Sequence, residues 1–231
     1  MELADGVYAL ELSMDREEGT FVVHPTAVET PKGPVLIDAG LPGRTDALAA
    51  ALGEHGLDLA DVRAVVLTHH DGDHAGGLVA ACERAADPVV YAHEAAAPYV
   101  DGRTHPLKTD DDAERYEPVA VDVELRDGVT FRTDAGPMRA VFTPGHAPGH
   151  LAFHFPDAGV LLAADAVRND AGELAGPPER FTPDLPEATR SVERLAALSV
   201  DRINCYHGGP IDAGTADLER VYGSLAAEHL G

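Results

Sequence analysis

The densest group of potential metal ligands in the chain lies at residues 69–74. Three imidazoles and two carboxylates occupy these six positions, directly after the apolar run at residues 64–67. Neutral imidazole suits zinc and iron, and carboxylate extends the range toward harder metals. Residues two apart in an extended segment point the same way, so His69 and Asp71 can converge on one ion. The pattern therefore predicts a metal site where a strand ends.

Residues 68–77 read Thr-His-His-Asp-Gly-Asp-His-Ala-Gly-Gly. The segment resembles the signature loop of the metallo-β-lactamase superfamily, Thr-His-x-His-x-Asp-His-x-Gly-Gly. Every fixed position matches except one, where Asp71 stands in place of the second histidine of the family. Asp73 and His74 lie where the chain turns into the next helix. Because a carboxylate is harder than an imidazole, Asp71 favours iron or manganese relative to zinc.

The resemblance continues at four other strand ends, one before this segment and three after it. Together they span nearly the whole chain. Residues 143–150, Thr-Pro-Gly-His-Ala-Pro-Gly-His, closely resemble a family segment whose first histidine is a ligand. Asp165 follows an apolar run, with Ala164 in place of the usual glycine, and His207 precedes a Gly-Gly-Pro turn. Asp38 ends a strand that is similar to the family's Leu-Ile-Asp-x-Gly segment.

The resemblance assigns a role to each of these residues. It implies one metal held by His69, Asp71 and His146. It implies a second metal held by Asp73, His74 and His207, with Asp165 bridging the two ions. Asp38 and His150 are expected to support the ligands from behind. Tyr206 and Arg168 lie beside ligands in the sequence and are candidates for substrate contacts.

This ligand set implies a binuclear metal-dependent hydrolase that cleaves a small ester, thioester or lactone. A hydroxide held between the ions would be the nucleophile, and Asp73 would also act catalytically by steering the proton. The expected cofactors are two divalent ions, zinc first, with iron or manganese at the site that contains Asp71. Two alternatives stay open: a mononuclear iron dioxygenase of the persulfide type, using His69, His146 and Asp165, and a metal-binding protein without catalysis.

The elements that must position these residues alternate between strands and helices. Strands are predicted at residues 7–12, 21–29, 35–40, 64–67, 88–92, 119–125, 130–132, 138–142, 151–155, 160–164 and 202–205. Helices are predicted at residues 44–54, 77–86, 185–198 and 213–229. Together with the resemblance, this order predicts an α/β protein (α+β by some schemes), a single domain over residues 1–231 with a four-layer αβ/βα sandwich. The unpatterned stretch at residues 98–117 is expected to form a wall over the active site.

The sequence contains forty acidic and seventeen basic residues, which gives a formal net charge of −23. Only Lys32 and Lys108 are lysines. This charge excludes nucleic acid and anionic membranes as expected partners and leaves a small-molecule substrate. The two cysteines are too few for a disulfide scaffold, and no apolar run is long enough to span a bilayer. The sequence thus predicts an acidic, halophilic, cytoplasmic protein.

Removing salt is expected to lower the melting temperature of this protein. Self-repulsion among the acidic residues is screened in high salt, where the Debye length falls to ~3 Å at about 1 M. Thermal melts in molar salt and in dilute buffer measure the difference. Equal melting temperatures in the two buffers would contradict the halophilic interpretation.

Overall fold

A computed structural model of the chain describes residues 1–16, 19–85, 87–108 and 115–231. Three features predicted from the sequence lie wholly or partly outside these residues. They are the acidic turn at residues 15–19, the helix end at residue 86 and the middle of the stretch at residues 98–117.

The first part of the chain supplies one sheet and the short helices beside it. Its strands, within the described residues, are β1 (Glu2–Ala4), β2 (Val7–Ala9), β3 (Leu12–Arg16), β4 (Gly19–Val23), β5 (Thr26–Val28), β6 (Val35–Ile37), β7 (Ala64–Val66), β8 (Val89–His93) and β9 (Val123–Leu125). Its helices are α1 (Thr45–Gly53), α2 (Gly72–Ala75), α3 (Leu78–Arg84) and α4 (Ala97–Val100). The sheet order is β1-β2-β5-β6-β7-β8-β9, and β6 to β9 run parallel. The strands β3 and β4 form a separate hairpin.

The second part of the chain repeats this design with a second sheet and two longer helices. Its described strands are β10 (Thr130–Thr133), β11 (Gly136–Phe142), β12 (Leu151–Phe155), β13 (Val160–Ala164), β14 (Arg168–Asp170), β15 (Glu173–Ala175), β16 (Arg202–Cys205) and β17 (Gly209–Ile211). Its helices are α5 (Leu185–Ala196) and α6 (Thr215–His229). The sheet order is β10-β11-β12-β13-β16-β17, with β13 and β16 parallel, and β14 pairs with β15 alone. Among the described helices, none is long and apolar enough to cross a membrane.

Alternate residues of the first sheet face opposite layers, as the pleat of a strand requires. Leu36 and Val65 pack with Leu48 of α1 in one apolar core. Val66, the next residue along β7, packs instead with Phe153 of the second sheet in another core. The first sheet therefore has helices on one face and the second sheet on the other.

The second sheet shows the same alternation. Leu162 of β13 belongs to the core between the sheets, whereas Leu161 and Ile203 pack with Val192 of α5 and Leu218 of α6. Helices thus cover the outer face of each sheet, which gives the predicted order of four layers. Most of the stabilising apolar burial lies in these three cores.

Several element boundaries differ from the prediction. The single strand predicted at residues 21–29 is two strands, β4 and β5, that belong to different sheets. The break falls at Pro25, which has no backbone N–H and so cannot donate a hydrogen bond to a neighbouring strand. Its carbonyl accepts from the N–H of Leu10 (2.8 Å). The edge strand β1 and the strands β14, β15 and β17 are present in addition to the predicted ones.

Parallel pairing brings the predicted ligands to one edge of the molecule. Because β6 pairs in parallel with β7, Asp38 after β6 lies beside Thr68 after β7. In the second sheet β13 pairs in parallel with β16, so Asp165 and His207 follow neighbouring strand ends. In both sheets, these site residues therefore follow the carboxyl ends of parallel strands.

Candidate metal centre

Asp38 anchors the loop that follows β7. Its Oδ1 accepts from the backbone N–H of Thr68 (2.7 Å), and its Oδ2 accepts from the Thr68 hydroxyl (2.8 Å). The same Oδ2 accepts from His74 Nδ1 (2.8 Å). Asp38 is 1% exposed and has a left-handed backbone with φ of 63°, a conformation that aspartate tolerates better than most residues. The carboxylate thus fixes both the loop and the ring of His74.

The hydroxyl of Thr68 sets the tautomer of His69. Because that hydroxyl donates its hydrogen to Asp38, it must accept from His69 Nδ1, which lies 3.0 Å away. His69 then carries its proton on Nδ1 and turns a bare Nε2 inward. His74 donates from Nδ1 to Asp38 and also turns its Nε2 inward. Burial lowers the pKa of His74, but the carboxylates of Asp165 and Asp38 outweigh it and hold that pKa well above its ordinary value, so an ion that binds there must displace a proton. Both Nε2 atoms are buried and have no hydrogen-bond partner among the described residues. This arrangement is the one that metal-binding histidines adopt.

His146 is oriented in the same way by a residue that follows much later in the chain. Thr182 donates its hydroxyl hydrogen to the carbonyl of Pro178 (2.8 Å), so its Oγ1 accepts from His146 Nδ1 (3.3 Å). The Nε2 of His146 therefore carries the lone pair, and it lies 3.2 Å from both Asp71 Oδ2 and Asp165 Oδ2, a spacing at which all three atoms can bind one ion. The structure brings this histidine to the ligand cluster predicted at residues 69–74.

Asp165 is held in place through its backbone. Its N–H donates to His150 Nε2 (3.2 Å), so His150 carries its proton on Nδ1 and donates it to Thr143 Oγ1 (2.8 Å). His150 is fully buried and lies behind the ligand cluster, where the resemblance puts a supporting residue. Ala164 has a φ of 46°, in the left-handed region that favours glycine, which accounts for the glycine usual at this position in the family.

His207 and Asp73 complete the cluster on its solvent side. The Nε2 of His207 lies 3.3 Å from Asp73 Oδ2 and 3.5 Å from Asp165 Oδ2. Tyr206, a candidate for substrate contact in the sequence analysis, lies on the inner side of the ligands. Tyr206 is 3% exposed, donates its hydroxyl to the carbonyl of Asp73 (2.5 Å) and stacks on His74 with ring centroids 3.6 Å apart. Since it lies behind the ligands, Tyr206 positions them instead.

The ligand atoms form three overlapping groups, in each of which all of them lie within 4.8 Å of one another. Two groups share no residue, and we call them the Asp71 triad (His69, Asp71, His146) and the Asp73 triad (Asp73, His74, His207). The third group, His69, His74 and Asp165, joins them. Ligands about 2.0–2.1 Å from a tetrahedral ion are about 3.4 Å apart. The pairs joined to Asp71 measure 3.4 Å (His69) and 3.2 Å (His146), which fits that spacing.

Asp165 lies between the triads, where a bridging ligand must be. One carboxylate oxygen faces His146 Nε2 (3.2 Å) and the other faces His74 Nε2 (3.5 Å). Its Oδ1 is buried without a hydrogen-bond partner among the described residues. Buried polar atoms without partners are costly, and a cation bound between the triads would satisfy these. The residues present therefore fit two metal ions.

The histidines of the site have pKa values shifted in opposite directions, because burial lowers a histidine pKa and a neighbouring carboxylate raises it. The pKa of His69 is well below its ordinary value because of burial and the nearby His74. Burial also lowers the pKa of His207, but the carboxylates of Asp165 and Asp73 outweigh it and raise that pKa to about 9. The metal-free site thus holds a proton on His207 at neutral pH, and an ion that binds there must displace it.

A cavity of about 450 Å³ opens above the ligands. Phe21, Leu41, Pro178 and Phe181 provide its apolar walls, and ligand side chains form its polar floor. Arg168, a candidate for substrate contact, also lines the cavity. Its guanidinium donates to the carbonyl of Gly176 (3.0 Å) and to Asp170 (3.1 Å). The size suits a small molecule.

Sequence reasoning missed three residues of this site, namely Thr182, Phe181 and Lys108. Thr182 orients His146, and Phe181 is half exposed at the cavity mouth. Lys108 belongs to the stretch predicted to form a wall, and its side chain reaches the ligands. No local pattern marks these residues, because each meets the ligands through a contact between distant parts of the chain.

The chain is similar to known proteins over most of its length. The sequence profile of the metallo-beta-lactamase superfamily matches residues 19–207, a span that contains every predicted ligand. The probable metallo-hydrolase YflN of Bacillus subtilis (strain 168) is 28% identical, with 91% of this chain and 86% of that protein covered. A metallo-beta-lactamase family protein of Thermus thermophilus superposes with a TM-score of 0.76 at 26% identity, covering 99% of this chain and 81% of its own.

Some relatives are considerably longer than the matched region. A hydroxyacylglutathione hydrolase of Synechococcus sp. (strain JA-3-3Ab) is 29% identical over 73% of this chain, but the match covers 62% of that protein. The chain spans about half the length of two lactamase-like relatives. The remainder of each of those proteins lies outside the match.

Proposed function

Because the chain belongs to the metallo-beta-lactamase superfamily, we propose that it is a metal-dependent hydrolase that cleaves a small ester, thioester or lactone. The proposed cofactors are two divalent ions, one in the Asp71 triad and one in the Asp73 triad, with Asp165 as the shared ligand. Zinc is the expected ion, with iron or manganese as alternatives in the Asp71 triad. Such ions supply a hydroxide nucleophile at neutral pH and polarise a carbonyl oxygen.

The observation that carries this proposal is the convergence of buried, unpartnered ligand atoms on the floor of a substrate-sized cavity. Nε2 of His69, Nε2 of His74 and Oδ1 of Asp165 are all buried without hydrogen-bond partners among the described residues. The other ring nitrogens of both histidines are engaged by Thr68 and Asp38. A core built only for stability would not leave three such atoms facing one another.

The side chains around the ligands have distinct proposed tasks. Asp73 lines the cavity, so its carboxylate is placed to take and return the proton of the reacting groups. Arg168 supplies a cation for a carbonyl or carboxylate oxygen of the substrate. The apolar walls formed by Phe21, Leu41 and Phe181 exclude water from the rest of the substrate, which favours a compact acyl group.

The test combines metal analysis with a substrate panel. Protein purified without chelator is expected to contain close to two zinc, iron or manganese ions per chain. It should turn over at least one member of a panel of thioesters, lactones and aryl esters. Dialysis against a chelator should remove both the ions and the activity, and restoring the metal should restore both.

Two other outcomes would replace the proposal with its alternatives. One iron per chain together with oxygen consumption on persulfides would establish the dioxygenase, which needs only His69, His146 and Asp165. Two bound ions without turnover of any carbonyl substrate would favour a metal-binding protein that has no catalytic activity.

A further inference from the structure

Lys108 enters the metal centre from an exposed loop. Its side chain is 14% exposed although the residue as a whole is exposed, so its backbone lies at the surface while its amine is directed inward. Its φ is 65°, in the left-handed region that is uncommon for residues other than glycine, asparagine and aspartate. Backbone conformations of this kind persist where the surroundings impose them.

The inward-pointing ammonium contacts two ligands of the Asp71 triad. Lys108 Nζ donates to Asp71 Oδ2 (2.5 Å) and to His146 Nε2 (2.9 Å). These are the atoms whose lone pairs would bind an ion in that triad. An ammonium group and a metal ion cannot use the same lone pairs, so each excludes the other.

We infer that the Lys108 ammonium is a built-in competitor for the metal ion of the Asp71 triad. It neutralises Asp71 while no ion is bound, and it must withdraw before an ion can bind there. The inference deepens the proposed function and rests on it in one respect, namely that the triad binds a metal. It lowers the affinity of the Asp71 triad for a metal ion.

The Asp73 triad faces no lysine or arginine among the described residues. The ion pairs of Asp73 and Asp165 within that part of the chain are all with histidines. The two triads therefore differ in the cation that opposes metal binding, which is the Lys108 ammonium in the Asp71 triad and a histidine proton in the Asp73 triad.

The same contact gives a physical reason for the aspartate at position 71. The family pattern has histidine there, and a neutral imidazole attracts an ammonium group less strongly than a charged carboxylate does. Lysine also suits the role better than arginine, because its ammonium is a compact point charge on a flexible stem. The sequence has two lysines, and one of them lies at this contact.

Metal titration of variants tests the inference without any activity assay. Calorimetric titration with zinc and with manganese is expected to show two affinities for the metal-free wild type. Lys108→Met should strengthen metal binding at the Asp71 triad, the site that Asp71→Ala removes, and leave the other affinity unchanged. If Lys108 occupies the triad about nine-tenths of the time, the gain is about tenfold. Lys32→Met, at an exposed lysine, is the matched control and should behave as wild type.

A second measurement uses the wild-type protein, so it does not depend on a variant that folds. An amine-acetylating reagent followed by mass spectrometry gives the labelling rates of Lys108 and Lys32 in the same molecules. Lys108 should react more slowly than Lys32 in metal-free protein, and its relative rate should rise when both ions are bound. Lys32 serves as the internal reference.

The outcomes separate this inference from the proposed function. Two bound ions with an unchanged ratio of Lys108 to Lys32 labelling would overturn the inference alone. So would a Lys108→Met variant in which both sites keep their wild-type affinities. A protein that binds no ion under any condition would overturn both the proposed function and the inference.

Discussion

Asp165→Ala is expected to lose hydrolase activity by more than about a hundredfold. Loss of a residue that only orients a ligand costs about 10–100-fold, and Asp165 is placed to bind both ions. Its carboxylate lies 3.2 Å from His146 and 3.5 Å from both His74 and His207. Its removal therefore takes away a carboxylate that is close to both triads. Steady-state rates on the best substrate of the panel, with metal content measured in parallel, give the result.

The variant should remain folded, because Asp165 is fixed through its backbone N–H to His150, which alanine retains. Asp46→Ala is a matched control, since it removes a fully exposed carboxylate that pairs with Arg84. His207→Ala is expected to lose less activity than Asp165→Ala, because His207 belongs to one triad only. Wild-type activity in a folded Asp165→Ala variant would rule out the binuclear mechanism.

The sequence predicted the fold well where apolar runs are regular. The strands at residues 151–155, 160–164 and 202–205 agree with β12, β13 and β16, because each is buried and bounded by turn residues. It failed where one segment changes sheet, as at Pro25, and at the β14–β15 hairpin. That hairpin turns through Ala171 and Gly172, and its strands are largely polar and carry no apolar alternation.

The predicted ligands come together because they follow strand ends, and the ends of parallel strands share an edge. The sequence could therefore place His69 and Asp165 in one region. It could not assign Tyr206, whose neighbour His207 reaches the cavity while its own ring packs behind His74. Nor could it identify Thr182 or Lys108, which lie 36 and 37 residues from the ligands they contact, since those contacts depend on how the loops close.

Asp71 is where this chain departs from the pattern of its family, and the structure supports a direct ligand at this position. Its Oδ2 lies 3.4 Å from His69 Nε2 and 3.2 Å from His146 Nε2. The backbone of Asp71 is extended, with φ of −65° and ψ of 149°, at the residue before α2. The shorter side chain therefore reaches the ion position through the same alternation that directs His69 toward it.

Asp71→Ala is expected to bind one ion per chain at a metal concentration that gives two in the wild type. The loss should exceed about a hundredfold in affinity at the Asp71 triad, because a direct ligand contributes more than a residue that only orients one. Asp73→Ala is the matched comparison, since it should weaken the other triad and leave the Asp71 triad filled. Elemental analysis and calorimetric titration measure both variants.

Asp71→His restores the family motif and should retain two ions while shifting the preference toward zinc over manganese and iron, because imidazole is a softer ligand than carboxylate. The same change removes the carboxylate that attracts Lys108, so the affinity of the triad for zinc should also rise. Competition between zinc and manganese at equal concentrations, compared with wild type, measures the preference. If Asp71→Ala keeps both ions at wild-type affinity, Asp71 is not a ligand, and the altered metal preference loses its physical basis.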